Sequence, residues 1–206
     1  MESSQPAALN PVRRRIHAAA MKLFAEQGVT QVTVSTLAAA AGVARGTVYS
    51  NVQDIDGLFE EVAAELVREM VDRVMLAFAG TDDVARRLAI GVRLYIRRAH
   101  EEPPWGRFMS RFGLSMASLQ AVLTSDPAFN LGAGIASGRY HIRPEQLRAM
   151  VGMLTGSTLA AMVAVLEGHQ TWREAGSDVA EFLLVALGLD RAEARELARL
   201  ELPPLN

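Results

Sequence analysis

A group of small polar and basic side chains follows a glycine turn between two short apolar segments. The residues are Arg45, Gly46, Thr47, Tyr49, Ser50 and Asn51. Guanidinium, hydroxyl and amide groups contact phosphates and the base edges of a major groove, and a glycine allows close approach of the backbone. The chemistry that this spacing favours is therefore binding to DNA.

Residue types that support catalysis or metal binding are scattered or absent. The histidines are His17, His100, His141 and His169, and they lack metal-ligand spacing. The chain has no cysteine, which excludes disulfides, thiolate zinc sites and cysteine nucleophiles. No nucleophile elbow, phosphate loop or dinucleotide fingerprint occurs. The adjacent Glu101 and Glu102 indicate a solvated helix end. We therefore expect no catalytic residue, no metal and no cofactor.

A helix-turn-helix would position the polar group, and residues 33–52 have its pattern. Thr33 is a good N-cap, Ala38 is small enough for a helix crossing, and Gly42 suits a turn with positive φ. The core positions are Leu37, Ala41, Val43 and Val48. An ordinary helical hairpin is the alternative. Arginines at 13–15 and Arg45 at helix starts favour phosphate binding instead.

Helical periodicity runs through the rest of the chain and strand signals are almost absent, so we predict an all-α protein. The expected helices cover about 12–27, 33–42, 44–52, 54–79, 83–100 and 104–123, then a short helix ending at Gly138, a long one from Pro144, one capped by Ser177, and 191–200. Thr124–Pro127 is expected to break the chain. Half of the 206 residues are hydrophobic, which is enough for a sizeable core. Residues 1–11 are expected to be a disordered arm.

The segment AGVARGTVYSNVQDIDGLF resembles the signature of the TetR family of bacterial transcriptional regulators, and LFAEQGVTQVTVSTLA resembles the family's first helices. The resemblance covers about residues 12–60. It implies an N-terminal three-helix DNA-binding domain, here 12–57, followed by a larger helical ligand-binding and dimerisation domain, here 58–202.

The resemblance also implies roles for single residues. Thr33 would cap its helix and touch a phosphate, Gly46 would permit close approach, and Tyr49 would place its hydroxyl on the DNA backbone. The residues facing the major groove would be Arg45, Thr47, Ser50 and Asn51. The sequence departs from the family at Ile55, where a lysine is usual, and at Val52, where an aromatic is usual. We therefore expect fewer phosphate contacts and weaker non-specific binding.

Aromatic and methionine side chains at helical spacing mark either a core or the wall of a ligand pocket. The pocket candidates are Tyr95, Trp105, Phe108, Met109, Phe112 and Met116. Core packing is the simpler interpretation for any one of them. The resemblance favours a pocket, because TetR-like proteins bind inducers among helices four to eight. Polar candidates for orienting a ligand are His100, Arg111, Gln120 and Asn130.

A stripe of small residues on the eighth helix indicates close helix packing. It comprises Gly152, Gly156, Ala160 and Ala164, and Phe182 lies on the ninth helix. Glycine is unfavourable inside a helix, so two glycines argue for a packing demand. Packing within one chain is the alternative. The resemblance implies a homodimer interface, since TetR-like proteins dimerise through their last long helices.

Residues 149–166 carry no charge and reach the length of a marginal membrane span. Hydroxyl residues and glycines dilute the segment and it lacks basic flanks, so a buried helix is favoured. The polar N-terminus does not resemble a signal peptide. We expect a cytoplasmic protein with no membrane partner, although a membrane-anchored regulator remains an alternative.

Together these patterns predict a ligand-responsive transcriptional regulator and not an enzyme. Its expected partners are double-stranded DNA, a small-molecule effector and a second copy of the chain. The default form is a repressor that binds a palindromic operator as a homodimer and is released by a small apolar or amphipathic effector. Activation is also open. The alternative from another class is a helical small-molecule binding protein that has lost specific DNA binding.

Overall fold

A computed structural model of the protein describes residues 10–115 and 117–204, with the side chains of 117–126 left out. This part of the chain forms ten α-helices and no strand, which confirms the predicted all-α class. The helices are α1 (Pro11–Gln27), α2 (Val34–Ala41), α3 (Arg45–Tyr49), α4 (Ile55–Ala77), α5 (Val84–Glu101), α6 (Pro103–Phe112), α7 (Ala117–Ala136), α8 (Leu147–Leu166), α9 (Trp172–Ala186) and α10 (Arg191–Arg199). The predicted arm at 1–11 lies mostly outside the described residues.

The chain divides into two compact units, Met1–Val62 and Ala63–Asn206. Helix α4 is continuous through the boundary. In the first unit, α2 packs against α1 and α3, and the buried side chains include Phe24, Leu37 and Val48, with Phe59 at the beginning of α4. The rings of Phe24 and Phe59 meet edge to face, with centroids 5.0 Å apart. Each such side chain contributes about 1.5–3 kcal/mol by its burial, so this small unit has a core of its own.

In the second unit, α5 is the central helix and packs against α6, α7, α8, α9 and α10. Helix α8 packs in turn against α6, α7 and α9. With the turn before it, α8 (Pro144–Leu166) is long and apolar enough to cross a membrane by length and composition alone. A core helix of a soluble protein meets the same criteria, and α8 packs against four other helices.

The predicted sixth and seventh helices are wrong in their bounds. Helix α6 ends at Phe112 instead of about residue 123, and α7 continues through Pro127, where a break was expected. Gly113 follows α6 directly, and the Ser115 hydroxyl donates to the Phe112 carbonyl at 3.3 Å. A glycine and a back-bonding serine both compete with helix continuation. Pro127 lies inside α7, where it removes one backbone hydrogen bond and crowds the preceding turn.

Two other helix ends differ from prediction. Helix α9 begins at Trp172, and its cap is Thr171 instead of Ser177. Thr171 accepts a hydrogen bond from the Glu174 backbone N–H, and the Glu174 carboxylate accepts one from the Thr171 backbone N–H. This reciprocal capping box has the S/T-x-x-E pattern, which is a local sequence signal for a helix start. Before α8, Pro144–Gln146 forms a separate 3-10 turn.

A buried arginine joins three helices of the second unit. Arg98 on α5 is 1% exposed, donates to Glu69 of α4 at 3.0 Å and to Glu102 at 3.1 Å, and lies 4.5 Å above the Trp105 ring. Arg73 of α4 contacts the same two carboxylates. Glu102 lies at the partly solvated end of α5, as the sequence indicated, and is in addition a counter-charge for a buried guanidinium.

An ion pair fixes the start of α5. Asp83 caps the helix by accepting from the Ala85 N–H at 3.1 Å, and Arg139 donates to both of its carboxylate oxygens at 2.9 and 3.1 Å. These hydrogen bonds, led by that from Arg139, lower the pKa of Asp83 below its usual range. The lowered pKa means that the charged form of Asp83 stabilises the folded state.

We expect Asp83→Asn to cost about 1 kcal/mol of unfolding free energy at pH 7, a figure reduced for the solvent-accessible pair. Asparagine keeps the cap and loses the charge. Because the folded pKa is lowered, the difference from wild type is full above about pH 4 and disappears as pH falls through the folded pKa. Urea unfolding against pH measures it. Asp82→Asn, at a fully exposed neighbour 4.0 Å from Arg87, is the control and should have almost no effect. A loss that is independent of pH would contradict the ion-pair explanation.

Candidate DNA-binding surface and effector cavity

The turn between α2 and α3 has the geometry that the sequence predicted. Gly42 adopts φ 64° and ψ 40°, the left-handed conformation that ends α2 and disfavours residues with a side chain. Thr33 caps α2 by accepting a hydrogen bond from the Thr36 N–H at 3.2 Å. Leu37 and Val48 are buried completely on either side of the turn. The first unit therefore contains a helix-turn-helix.

Helix α3 is shorter than the expected 44–52 and ends at Tyr49. The Ser50 hydroxyl donates to the Thr47 carbonyl at 3.1 Å, and the Asn51 amide donates to the same carbonyl at 2.8 Å. Side-chain bonds of this kind compete with the backbone bonds that would extend the helix. Ser50 and Asn51 consequently lie on the turn that follows α3.

The predicted DNA contacts have different exposures. Val48 is 0% exposed, whereas the neighbouring Tyr49 is 68% exposed, so α3 buries one face and presents another. The exposed predicted residues are Thr33, Arg45, Gly46, Tyr49 and Ser50, and the half-buried ones are Thr47 and Asn51. A side chain added at Gly46 would meet no atom within 4 Å. The outward face of α3 can therefore approach a flat or grooved partner closely.

The beginning of α4 carries the two departures from the family pattern. Asp54 accepts a hydrogen bond from the Gly57 N–H at 2.6 Å and so caps the start of the helix. Val52 and Ile55 are half-buried, and as aliphatic residues they offer no cationic or aromatic group to DNA. The carboxylates of Asp54 and Asp56 are exposed beside them.

A cavity of about 120 Å³ lies in the second unit between α4, α5, α7 and α8. Its wall is mostly apolar, with Val71, Val74, Met75, Phe78, Leu88, Gly91, Val92, Pro127, Leu131, Leu154 and Leu159. The polar members of the wall are Arg87, Tyr95, Asn130, Thr155 and Thr158. An apolar cavity with a few polar groups is the usual form of a small-molecule site.

The structure brings only part of the predicted pocket set to this cavity. Tyr95 and Asn130 line it. Trp105, Phe108 and Met109 are completely buried and are not among the lining residues, while Phe112 is half-buried beside Phe108. His100 and Arg111 are exposed. Met116 and the side chain of Gln120 lie outside the described residues.

From the sequence we placed the effector site among helices four to eight but named no lining residue on α8. Thr155 and Thr158 are buried hydroxyl residues on α8 that line the cavity. Two hydroxyl groups inside an otherwise apolar, buried helix were a usable signal, because buried polar groups need partners. Their position relative to α4 and α5 could not be obtained from periodicity.

The small residues of α8 face open space. A side chain added at Gly152 or Gly156 would meet no atom within 4 Å. Ala160 is exposed and Ala164 is half-buried on the same helix. On α9, Phe182 is 70% exposed. The packing demand that the two glycines indicated is therefore not met by the described residues of this chain.

Among the described residues, no group of three or more His, Asp or Glu side chains is placed to hold a metal ion. The charged clusters that this part of the chain does form are ion pairs between arginines and carboxylates, such as Arg139 with Asp83 and Glu193.

Two family models match the chain. The model described as "Bacterial regulatory proteins, tetR family" matches residues 16–62, which include the helix-turn-helix. The model described as "Tetracyclin repressor-like, C-terminal domain" matches residues 83–200, which include α5 through α10. Together they cover most of both units. No curated protein sequence matches the chain.

Solved structures share the fold over nearly the whole chain. RolR in complex with resorcinol is 27% identical, with a TM-score of 0.72 over 95% of this chain and 96% of RolR. FadR from Bacillus halodurans is 20% identical, with a TM-score of 0.75 over 89% of this chain and all of FadR. FadR from Bacillus subtilis with stearoyl-CoA is 19% identical, with a TM-score of 0.71 over 83% of this chain and 97% of FadR.

Proposed function

Since this chain belongs to the TetR family of bacterial regulatory proteins, we propose that it is a repressor that binds a palindromic operator as a homodimer. Members of the family are DNA-binding regulators with a helical ligand-binding domain. Repression, the palindromic operator and the homodimer are what we propose for this chain. The observation that carries it is the helix-turn-helix itself, in which Gly42 turns the chain and Val48 anchors α3 with Arg45, Gly46 and Tyr49 exposed. Such a helix reads the major groove from its exposed face.

Recognition of a palindrome requires two copies of α3 related by a two-fold axis. Successive major grooves on one face of DNA are about 34–36 Å apart, which sets the spacing of the two reading helices. We propose that the open small-residue face of α8, with Phe182 of α9, forms the interface between the copies. Small residues allow two helices to approach closely, and an exposed phenylalanine gains free energy when the partner covers it.

Phe182→Glu should convert the dimer to a monomer at micromolar concentration, because two buried carboxylates would face each other across the two-fold axis. Sedimentation equilibrium measures the mass. Phe129→Glu is the matched control, since Phe129 on α7 is 78% exposed and lies off the proposed interface. A wild-type monomer, or equal masses for the two variants, would contradict the assignment.

The effector is proposed to act through α4. This helix starts beside the DNA-binding residues at Ile55, and its last turns contribute Val71, Val74 and Met75 to the cavity wall. A ligand that prefers one position of these last turns shifts the equilibrium between two positions of α4. The size of the shift is set by the difference between the ligand's affinities for the two states. Structural neighbours hold resorcinol and stearoyl-CoA, so neighbouring proteins take very different ligands.

A helical binding protein that no longer binds DNA is the second candidate, favoured by Ile55 and Val52 in place of the family's lysine and aromatic.

The packing of α8 against four helices supports a core role over a membrane anchor. A cytoplasmic location fits both candidates. Weaker non-specific DNA binding, expected from the same two residues, stays a prediction.

Selection of genomic fragments by the purified protein at physiological salt tests the proposed function. Enrichment of one imperfect palindrome is the expected result. The full-length Gly46→Glu variant, which keeps the second unit unchanged, is the control for non-specific retention. Equal enrichment by both proteins, with no common site, would favour the ligand carrier.

A further inference from the structure

We infer that the cavity takes an uncharged, single-ring aromatic molecule that carries a hydrogen-bond donor, of the phenol class. The inference rests on the proposed ligand-binding role of the second unit and names the chemistry of its ligand. Three features of the cavity support this inference. They are its size, the hydroxyl group of Thr158, and the contacts of Arg87, which is the one charged residue in the described part of the wall.

The size of the cavity sets the size of the ligand. An apolar cavity of about 150 Å³ holds benzene. The cavity here encloses about 120 Å³ between valines, leucines and Phe78. One aromatic ring fits such a space, and a longer ligand would have to extend out of it. Aromatic and aliphatic walls of this kind suit the flat face of a ring.

Thr158 gives the wall a directional polar group. The residue lines the cavity and is buried, and its hydroxyl donates its single proton to the Leu154 carbonyl at 2.8 Å. Only lone pairs on the Thr158 oxygen remain for a ligand, since a hydroxyl has one donor and two acceptor sites. A ligand that satisfies this oxygen must therefore donate a hydrogen bond.

The one charged side chain in the described wall is already held by protein groups, so the cavity does not require an anionic ligand. Arg87 is the one charged lining residue in the part of the chain that the structure describes. Its Nε donates to the Thr81 carbonyl at 2.5 Å, and its guanidinium lies 5.9 Å from the Phe78 ring centroid and 4.0 Å from Asp82. The guanidinium is thus oriented by these groups. A phenol is neutral at pH 7, because its pKa is about 10, and requires no counter-charge.

Calorimetric titration of the full-length protein without DNA tests the ligand class directly. The probes are phenol, anisole, toluene and benzoate, which keep one ring and vary the donor and the charge. Phenol should bind about five- to tenfold more tightly than anisole, which has an oxygen and no donor, as expected for one net hydrogen bond. Benzoate should bind more weakly than phenol. Equal affinities for phenol and anisole, or tighter binding of benzoate, would overturn the inference.

Two variants test whether the preference for phenol over anisole comes from Thr158. Thr158→Val should remove the preference for phenol over anisole while leaving toluene binding within about twofold, and Ser157→Ala is the matched control. Ser157 donates to the Met153 carbonyl of the same helix but does not line the cavity. A preference for phenol that survives in Thr158→Val would overturn the role of Thr158.

Gly91→Ala tests the size argument. The added methyl would lie 3.6 Å from Phe78, an ordinary contact inside the wall, and alanine is the better helix former. All ring probes should bind at least fivefold more weakly, with no fall in melting temperature. Unchanged binding would place the ligand elsewhere. These titrations contain no DNA, so their failure would leave the regulator proposal standing, and failure of the fragment selection would leave the ligand class standing.

Discussion

Gly46→Glu should lower the affinity for the selected operator by about a hundredfold or more while leaving the unfolding free energy within about 0.5 kcal/mol of wild type. Gly46 lies on the exposed face of α3, and a side chain there meets no atom within 4 Å. The folded protein therefore accommodates glutamate. In the complex, the carboxylate would occupy the space needed for close approach and would repel the phosphates.

Fluorescence anisotropy with a labelled operator measures this loss, and urea unfolding measures stability. Gly132→Glu is the matched control, because Gly132 on α7 also has open space around it and lies in the second unit. This control should bind the operator like wild type. Operator affinity unchanged in Gly46→Glu would mean that α3 does not face the DNA.

The Glu69→Gln/Glu102→Gln double variant should lose about 3 kcal/mol of unfolding free energy, the lower part of the range for breaking a buried ion pair. Both carboxylates pair with Arg98, which is 1% exposed, and both are themselves partly solvated. Without them the buried guanidinium keeps its charge and its contact with Trp105 but has no counter-charge. A smaller loss is expected from either single variant.

Glu101→Gln is the control for this cluster, because Glu101 pairs with the more exposed Arg97 at 2.7 Å, one residue earlier on the same helix. A pair of that kind contributes about 0.3–0.5 kcal/mol. Chemical denaturation of the wild type, the double variant, the two single variants and Glu101→Gln gives the comparison. Equal losses for Glu101→Gln and Glu102→Gln would show that burial of Arg98 has no energetic consequence.

The helix-turn-helix was predictable because its signals are local. Gly42 must have positive φ, Thr33 caps within three residues, and Asp54 caps α4 in the same way, so short-range chemistry determines each feature. The all-α class followed from periodicity for the same reason. The end of α3 was harder to predict from the sequence. It depends on hydrogen bonds from the Ser50 and Asn51 side chains to a backbone carbonyl, which both side chains could equally make with water.

The cavity and the charge cluster were less predictable because they depend on contacts between distant segments. Glu102 looks like a surface residue until Arg98, four positions earlier, is seen to be buried beside Glu69. Tyr95 and Trp105 look equivalent in the sequence, yet only Tyr95 lines the cavity. Which face of a helix meets a cavity depends on how neighbouring helices pack, and a hydrophobic pattern does not contain that information.

The most direct test of the proposed regulator is hydroxyl-radical footprinting of the selected operator with the wild-type protein and with Gly46→Glu. A dimer that reads DNA through α3 should protect two symmetric regions about 10 base pairs apart, on one face of the duplex. The variant should leave both regions unprotected at the same concentration. Protection of a single region, or a footprint that Gly46→Glu does not change, would contradict the account.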